Sequence, residues 1–178
     1  MSALRRNWAW IAATLLLAAA VHVASVMLTP HVIMALTMRG IASRAGLLNH
    51  MVHGRRPTAA SRGVVRPSPD LLYSSCVYDL SGGPVRVHAS GMPATYWSVS
   101  LFDADTDNFY VVNDRQAKTG GVDFLIVPPS QDRPLPGNVV RSPSLRGLVL
   151  VRTLIDDERH VAAIDAARRH AACEAYRG

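Results

Sequence analysis

The chain has 178 residues, of which 19 are Lys or Arg and 13 are Asp or Glu, and its formal net charge is +6. The first 69 residues contain no acid and eight of the basic residues, which leaves 11 basic against 13 acidic residues behind them. Once the apolar front is set aside, the length fits one soluble domain at most. The slightly acidic balance of that domain argues against nucleic acid as a partner.

The N-terminal part of the chain is predicted to form a membrane anchor. Residues 8–28 are apolar apart from Thr, Ser and His22, and no Lys, Arg, Asp or Glu occurs between Asn7 and Met38. About 20 apolar residues cross a bilayer core as a helix. Pro30 is predicted to end this helix or fix its exit. We predict a retained transmembrane anchor over residues 1–30 rather than a cleaved signal peptide, because the apolar run continues beyond the small residues 18–20.

Residues 31–66 are predicted to form a basic helix and a tether. Residues 31–53 mix apolar side chains with Arg39, Arg44, His50 and His53. This mixture is typical of a helix that lies on the bilayer surface, and equally of a helix that packs on the following domain. Basic residues beside a membrane attract anionic headgroups, so membrane lipid is a predicted partner. Residues 54–69 are rich in Arg, Pro, Ser and Gly, which indicates a tether.

Residues 67–178 are predicted to form a mainly β domain of the α+β class. Short runs rich in β-branched and aromatic residues alternate with turn residues. In one run Trp97, Val99 and Leu101 alternate with polar residues, as in a sheet with one buried face. The number and spacing of the runs predict an antiparallel β-sandwich or jelly-roll-like domain. The runs are 71–79, 84–89, 95–103, 108–113, 122–127, 138–142 and 147–154.

The end of the chain is predicted to be helical. Acidic residues at 156–158 precede an Ala-rich stretch that ends near Arg168 and Arg169, an order that suits the helix dipole. Cys76 and Cys173 are the only cysteines. Outside the cytoplasm this pair is a candidate disulfide that would tie the terminal helix to the first strand, and the alternative is two unpaired thiols.

The densest group of acids begins at Asp103. Asp103, Asp105 and Asp107 stand at the first, third and fifth positions of a calcium-loop pattern. However, Asn108 replaces the turn glycine, and Asp114 replaces the bidentate glutamate. The group is therefore either a calcium site or a hairpin turn whose side chains bond their own backbone. No other cofactor is expected.

Two segments resemble the family catalogued as domain of unknown function 1254. In the first, Pro69-Asp-Leu-Leu-Tyr-Ser leads to the turn Asp79-Leu-Ser-Gly-Gly-Pro. In the second, an aromatic strand from Tyr96 ends near Thr106-Asp-Asn-Phe. The chain resembles the short, membrane-anchored bacterial members, which implies an inner-membrane protein with its β-domain in the periplasm. The resemblance also implies a companion membrane protein that carries domain of unknown function 1214.

Several polar residues recur in the family-like segments. They could line a ligand pocket, in which a carboxylate, a phenol and a guanidinium bind a polar ligand or move protons. They could equally hold turns and cross-strand contacts. With Asp103 added, the candidate ligand-binding residues are Asp70, Tyr73, Asp79, Asp103, Asn108, Asn113, Asp114 and Arg115.

Two functions follow from these patterns. The first is a binding or assembly module of the cell envelope that works with the companion subunit. The alternative is a hydrolase-like enzyme that acts on a small or lipid-derived substrate. No nucleophile-elbow, P-loop or dinucleotide motif is present, so the sequence assigns no reaction.

Overall fold

A computed structural model describes residues 2–45, 48–62, 66–117 and 120–177, in which a long helix precedes two β-sheets. The helices are α1 (Ser2–Ala45) and α2 (Val161–Arg168), with a 3₁₀ turn at Glu158–His160 before α2. The strands are β1 (Val52–His53), β2 (Leu71–Asp79), β3 (Val85–Ala89), β4 (Trp97–Phe102), β5 (Asn108–Asn113), β6 (Val122–Val127), β7 (Val139–Arg141), β8 (Arg146–Leu154) and β9 (Ala172–Ala175).

Helix α1 passes through Pro30, so the prediction that this proline ends the helix is wrong. A proline at this position leaves the carbonyl of Val26 without its helical donor. On either side of Pro30, Thr29 Oγ1 donates to the carbonyl of Ser25, and His31 Nδ1 lies 3.1 Å from the carbonyl of Met27. Such side-chain bonds help a helix in an apolar environment to tolerate proline.

The length of α1 exceeds what a bilayer requires. Its 44 residues extend about 66 Å, roughly twice the thickness of a hydrocarbon core. Arg6–Ser43 is a candidate membrane span by length and composition, and its most apolar 18-residue window has a mean hydropathy of 2.2. Near the end of the helix, buried Met34 packs with Val77 and Leu148, which lie on β2 and β8. This contact agrees with the predicted role of packing on the domain, and the role at the bilayer surface stays a prediction.

The strands form one sheet of five and one of four. Sheet A has the order β1-β2-β8-β4-β5, and sheet B has the order β7-β6-β3-β9. All neighbours are antiparallel except β6 and β7, which are parallel. Sheet B is thus mixed, which corrects the prediction of purely antiparallel strands.

Both sheets contribute to one hydrophobic core. Buried residues of β2, β4 and β8 belong to the same cluster as Val87 on β3, Phe124 on β6 and Cys173 on β9. We call the face of sheet A that points away from this core its outer face. A disulfide joins Cys76 on β2 to Cys173 on β9 across a sequence separation of 97, consistent with the predicted pair.

The predicted strands agree closely with the observed ones. Those at 71–79, 108–113 and 122–127 have the same bounds, and the other four differ by one or two residues at an end. Two strands were not predicted, β1 and β9. Cys173 therefore lies on a strand, which brings the end of the chain into sheet B.

The alternation in β4 proved incomplete. Trp97, Val99 and Leu101 are buried in the core as predicted, but Ser98 and Ser100 are also fully buried, on the opposite face. Both faces of β4 are therefore buried at these residues, so the predicted pattern of one buried face does not hold for β4.

A glycine allows the central strands to pack closely. A Cβ at Gly147 would lie 2.2 Å from both the Phe102 carbonyl oxygen and the Tyr78 hydroxyl. That hydroxyl donates to the Phe102 carbonyl and lies 2.9 Å from Ser142 Oγ. Burial raises the pKa of Tyr78 to about 12, so the phenol stays protonated.

We predict that Gly147→Ala lowers the free energy of unfolding by about 3 kcal/mol, because the added methyl group displaces β4 or the Tyr78 phenol. Denaturant unfolding of the full chain in detergent measures the loss. Gly82→Ala is the matched control, since a Cβ there has no atom within 4 Å. Equal stabilities for the two variants would contradict the packing role of Gly147.

Candidate functional site

The structure separates the predicted site residues into two groups at opposite ends of sheet A. Strands β2 and β4 both pair antiparallel with β8, so their carboxyl ends lie at the same end of the sheet. The start of β5 is also at this end, because Phe102 pairs with Asn108. One end therefore carries Asp79, Asp103, Asp105, Asp107 and Asn108, and the other carries Asp70, Tyr73, Asn113, Asp114 and Arg115.

Asp103 holds the turn between β4 and β5. Its Oδ1 accepts hydrogen bonds from the backbone N–H groups of Asp105 and Asp107, at 2.8 and 2.9 Å. Its own N–H donates to the carbonyl of Asp107, and Thr106 adopts a φ of 75°. Asp105 and Asp107 are exposed, and Asp105 Oδ1 lies 2.9 Å from His31 Nε2 on α1. This is the geometry of an Asp-capped turn.

The Asp79 carboxylate accepts hydrogen bonds at the end of β2. Its Oδ2 accepts from Arg146 Nε at 2.7 Å, and its Oδ1 accepts from the N–H of Ser81. Burial acts to raise the pKa of this carboxyl. The hydrogen bonds from Ser81 and Arg146 outweigh that effect and keep the pKa below its ordinary value. Asn49 bonds both backbone groups of Asp79 and ties the segment after α1 to the strand.

In the second group, at the other end of sheet A, Tyr73 and Asn113 also accept hydrogen bonds from backbone N–H groups. Tyr73 accepts a hydrogen bond from the N–H of Ser68 through its hydroxyl. Asn113 Oδ1 accepts from the N–H groups of Arg115 and Gln116. Asp70 and Arg115 are exposed.

The two groups do not converge on one pocket. A catalytic arrangement of Asp70, Tyr73, Asp103 and Arg115 would require them to meet, and the strand register keeps Asp103 at the far end from the other three. Within the part of the chain that the structure describes, no group of three His, Cys, Asp or Glu residues is arranged to hold a metal ion.

A row of polar side chains across the outer face of sheet A was not predicted as a unit. Tyr73 pairs with Arg152, Arg152 with Ser98, and Ser98 with Asn113, on four adjacent strands. Cross-strand partners point to the same face, so these four residues form what we call the polar row. Arg152 was missed although it interrupts an apolar alternation of Leu148, Leu150 and Leu154.

A second unpredicted cluster surrounds Arg168, which is 1% exposed. Its guanidinium donates to the carbonyls of Gly54 and Tyr73, to Ser74 Oγ and to Asp165 Oδ1, at 2.6 to 2.9 Å. These bonds attach α2 to the edge formed by β1 and β2. A buried arginine with this many acceptors is a structural connection.

His53 and Ser74 in this cluster resemble a base and a nucleophile in distance only. His53 Nδ1 lies 2.9 Å from Ser74 Oγ. Burial first, and then the guanidiniums of Arg168 and Arg169, lower the pKa of His53 to about 4. A base this weak is poorly matched to neutral pH, and Ser74 is buried from any substrate. The pair therefore stabilises the β1–β2 edge.

These features define a two-sheet β-domain that follows a long apolar helix and in which Asp79, Asp103 and Asn113 bond the backbone of turns. The chain belongs to the family described as "Protein of unknown function (DUF1254)", whose model matches residues 48–175. The match begins before the two resembling segments and includes β1 and β9.

A solved structure shares the fold. A crystal structure of a Vibrio parahaemolyticus protein matches with a TM-score of 0.64 at 15% identity, over 82% of this chain and 35% of that chain. An uncharacterised protein from Burkholderia cenocepacia has a TM-score of 0.49 at 17% identity, over 64% of this chain and 33% of that one. This chain therefore spans about a third of each. No curated protein matches the chain.

We predict that Asp103→Ala lowers the free energy of unfolding by about 2 kcal/mol, because two turn N–H groups lose their acceptor. Asp107→Ala is the control and is expected to cost less than about 0.5 kcal/mol, since its side chain is exposed. Thermal unfolding checks both. If millimolar calcium raises the melting temperature of the unchanged chain and of neither variant, these acids bind calcium and do more than hold the turn.

We predict that stability falls as the pH drops from about 6.5 toward 4, partly through His53. The unfolded chain binds a proton at this residue near its ordinary pKa, whereas the folded chain resists protonation until about pH 4. The folded state thus loses stability through this window. His53→Asn should flatten the dependence in a series of denaturant titrations, and the exposed His170→Asn should not. Parallel pH profiles for both variants would refute the prediction.

Proposed function

We propose that this chain is a single-pass protein of the bacterial inner membrane whose β-domain lies in the periplasm and binds a companion membrane protein. Helix α1 supports the anchor, since it is apolar and long enough to cross a bilayer. The Cys76–Cys173 disulfide supports an oxidising compartment. The family resemblance supports a companion that carries domain of unknown function 1214, and basic residues near α1 support contact with anionic lipid.

The observation that carries the binding role is the open edge of β5. This strand is the last in the order of sheet A, and no strand of the described segments pairs with its outer edge. Unpaired backbone groups along an edge are a template for another strand, so proteins usually interrupt such edges with charge or proline. The six residues of β5, Asn-Phe-Tyr-Val-Val-Asn, include neither.

The other edge strands are shorter than β5 and are less suited to pairing with an added strand. Strand β1 has two residues and β7 has three, whereas β9 has four and carries the charged Glu174. We therefore propose that the companion adds a strand or an extended segment beside β5, a mode in which main-chain hydrogen bonds supply the affinity.

The solved relative supports a larger assembly. The region similar to this chain makes up 35% of the Vibrio parahaemolyticus chain, so that protein carries the same fold beside much additional polypeptide. For this chain, a separate companion protein would take the place of the additional polypeptide in the Vibrio parahaemolyticus chain. The core shared by sheets A and B supports the finer proposal that they pack face to face as a β-sandwich.

We predict that Val111→Lys on β5 reduces capture of the companion at least tenfold, because a charged side chain blocks strand addition. The full chain is co-expressed with a protein that carries domain of unknown function 1214, extracted in detergent and captured, and the companion is quantified. Val139→Lys on β7 is the matched control, since Val111 is 44% exposed and Val139 is 43% exposed.

Loss of the companion from both variants, or from neither, would contradict docking at β5. Thermal unfolding establishes that both variants are folded. The enzyme alternative would gain support if the purified chain turned over an ester and if Asp70→Ala or Asp103→Ala abolished that turnover without unfolding the protein.

A further inference from the structure

Arg152 lies in the interior of the outer face of sheet A, on the central strand β8. It has Tyr73 on one side and Ser98 on the other as cross-strand partners. The end of α1 covers the same face only further along, where Met34 packs on Val77 and Leu148. The half of the face around Arg152 is therefore left open by α1.

The guanidinium of Arg152 has few acceptors. Its Nη2 donates to Ser100 Oγ at 3.3 Å, a long hydrogen bond, and its buried Nε has no acceptor among residues 2–45, 48–62, 66–117 and 120–177. Among the residues that the structure describes, no carboxylate forms an ion pair with it. The other arginine of β8, Arg146, differs because it pairs with Asp79.

A buried hydroxyl beside Arg152 is also unsatisfied. Ser98 is fully buried, and its Oγ has no hydrogen-bond partner in the described part of the chain. Buried polar groups are normally paired, because an unpaired one loses its hydration without compensation. Ser98 and Ser100 are thus hydroxyls on the same face as a cation that lacks its counter-ion.

The chemistry of these groups selects a ligand class. A guanidinium presents a planar fork of donors that matches a planar carboxylate, and serine hydroxyls can donate to the same oxygens. Half-buried Leu150 and exposed Val111 lie in the next row, where they pair with Ser100. They provide an apolar flank for the carbon end of such a ligand.

We propose that Arg152, Ser98 and Ser100 form a binding site for a small organic carboxylate on the outer face of sheet A. The site is distinct from the β5 edge and does not depend on the companion. Binding supplies the acceptor that Arg152 lacks and satisfies the buried hydroxyl of Ser98.

The test uses acetate as the probe. The full chain with isotope-labelled arginine is placed in zwitterionic lipid nanodiscs, and the arginine Nε–Hε resonances are followed during titration with acetate at constant ionic strength. We expect the resonance of Arg152 to shift saturably with acetate and not with chloride. Absence of a saturable shift, or an equal response to inorganic phosphate, would overturn the proposal of a carboxylate site.

Two variants separate binding from a structural role. Ser98→Ala should weaken acetate binding about tenfold while raising the melting temperature, because it removes an unpaired buried hydroxyl. In the uniformly isotope-labelled chain, Arg152→Gln should abolish the acetate response of the Ser98 and Ser100 amide resonances, whereas the exposed Arg133→Gln should leave it unchanged. Wild-type acetate affinity in both Ser98→Ala and Ser100→Ala would overturn the assignment.

The variant Arg152→Gln keeps the two proposals apart, because Arg152 lies on β8 and not at the β5 edge. It is expected to lose the acetate response and to keep the companion. If acetate binding fails in the unchanged chain while the companion still binds, only the carboxylate site is overturned.

Discussion

Strand β8 determines where the polar groups of sheet A lie. It occurs late in the chain, yet it lies between β2 and β4 and pairs along its whole length with β2. Its first residues place Arg146 against Asp79 and Gly147 beneath the Tyr78 phenol, and Arg152 near its end meets Tyr73 and Ser98. The separation of the candidate residues between two ends of the sheet depends on this insertion, because without β8 the strands β2 and β4 would have no common register.

The local structure could largely be predicted from the sequence, and the tertiary arrangement could not. Runs of β-branched and aromatic residues identified β2, β5 and β6 with their observed bounds, since alternation and turn residues are local signals. The placement of β8 between two earlier strands depends on pairs that are 46 to 83 residues apart, which no local pattern encodes. For the same reason, the convergence of Asp70, Tyr73, Asp103 and Arg115 could not be judged from family-like segments alone.

The sequence-based predictions that proved wrong or incomplete also failed for physical reasons. Proline usually ends a helix, but α1 continues through Pro30, where the side chains of Thr29 and His31 bond the carbonyls of Ser25 and Met27. Strands β1 and β9 are too short to produce a period of two, and they exist because β2 and β3 provide an edge for each of them. Arg152 did leave a signal, a charge at a position where Leu148, Leu150 and Leu154 predict an apolar face. A charged residue in such a position indicates either a partner or a ligand.

The arrangement of α1 on sheet A relates the membrane to the open surfaces. His31 follows the apolar run of the helix directly and contacts Asp105 in the turn before β5, so that turn lies level with the end of the apolar run. Strand β5 begins at this turn and continues to its pairing with Ser98 in the polar row. On the proposed topology, a companion anchored in the same bilayer would reach the start of the β5 edge near the headgroups. Buried Met34 of α1 packs on Val77 of β2 and Leu148 of β8, so this contact does not cover the outer edge of β5.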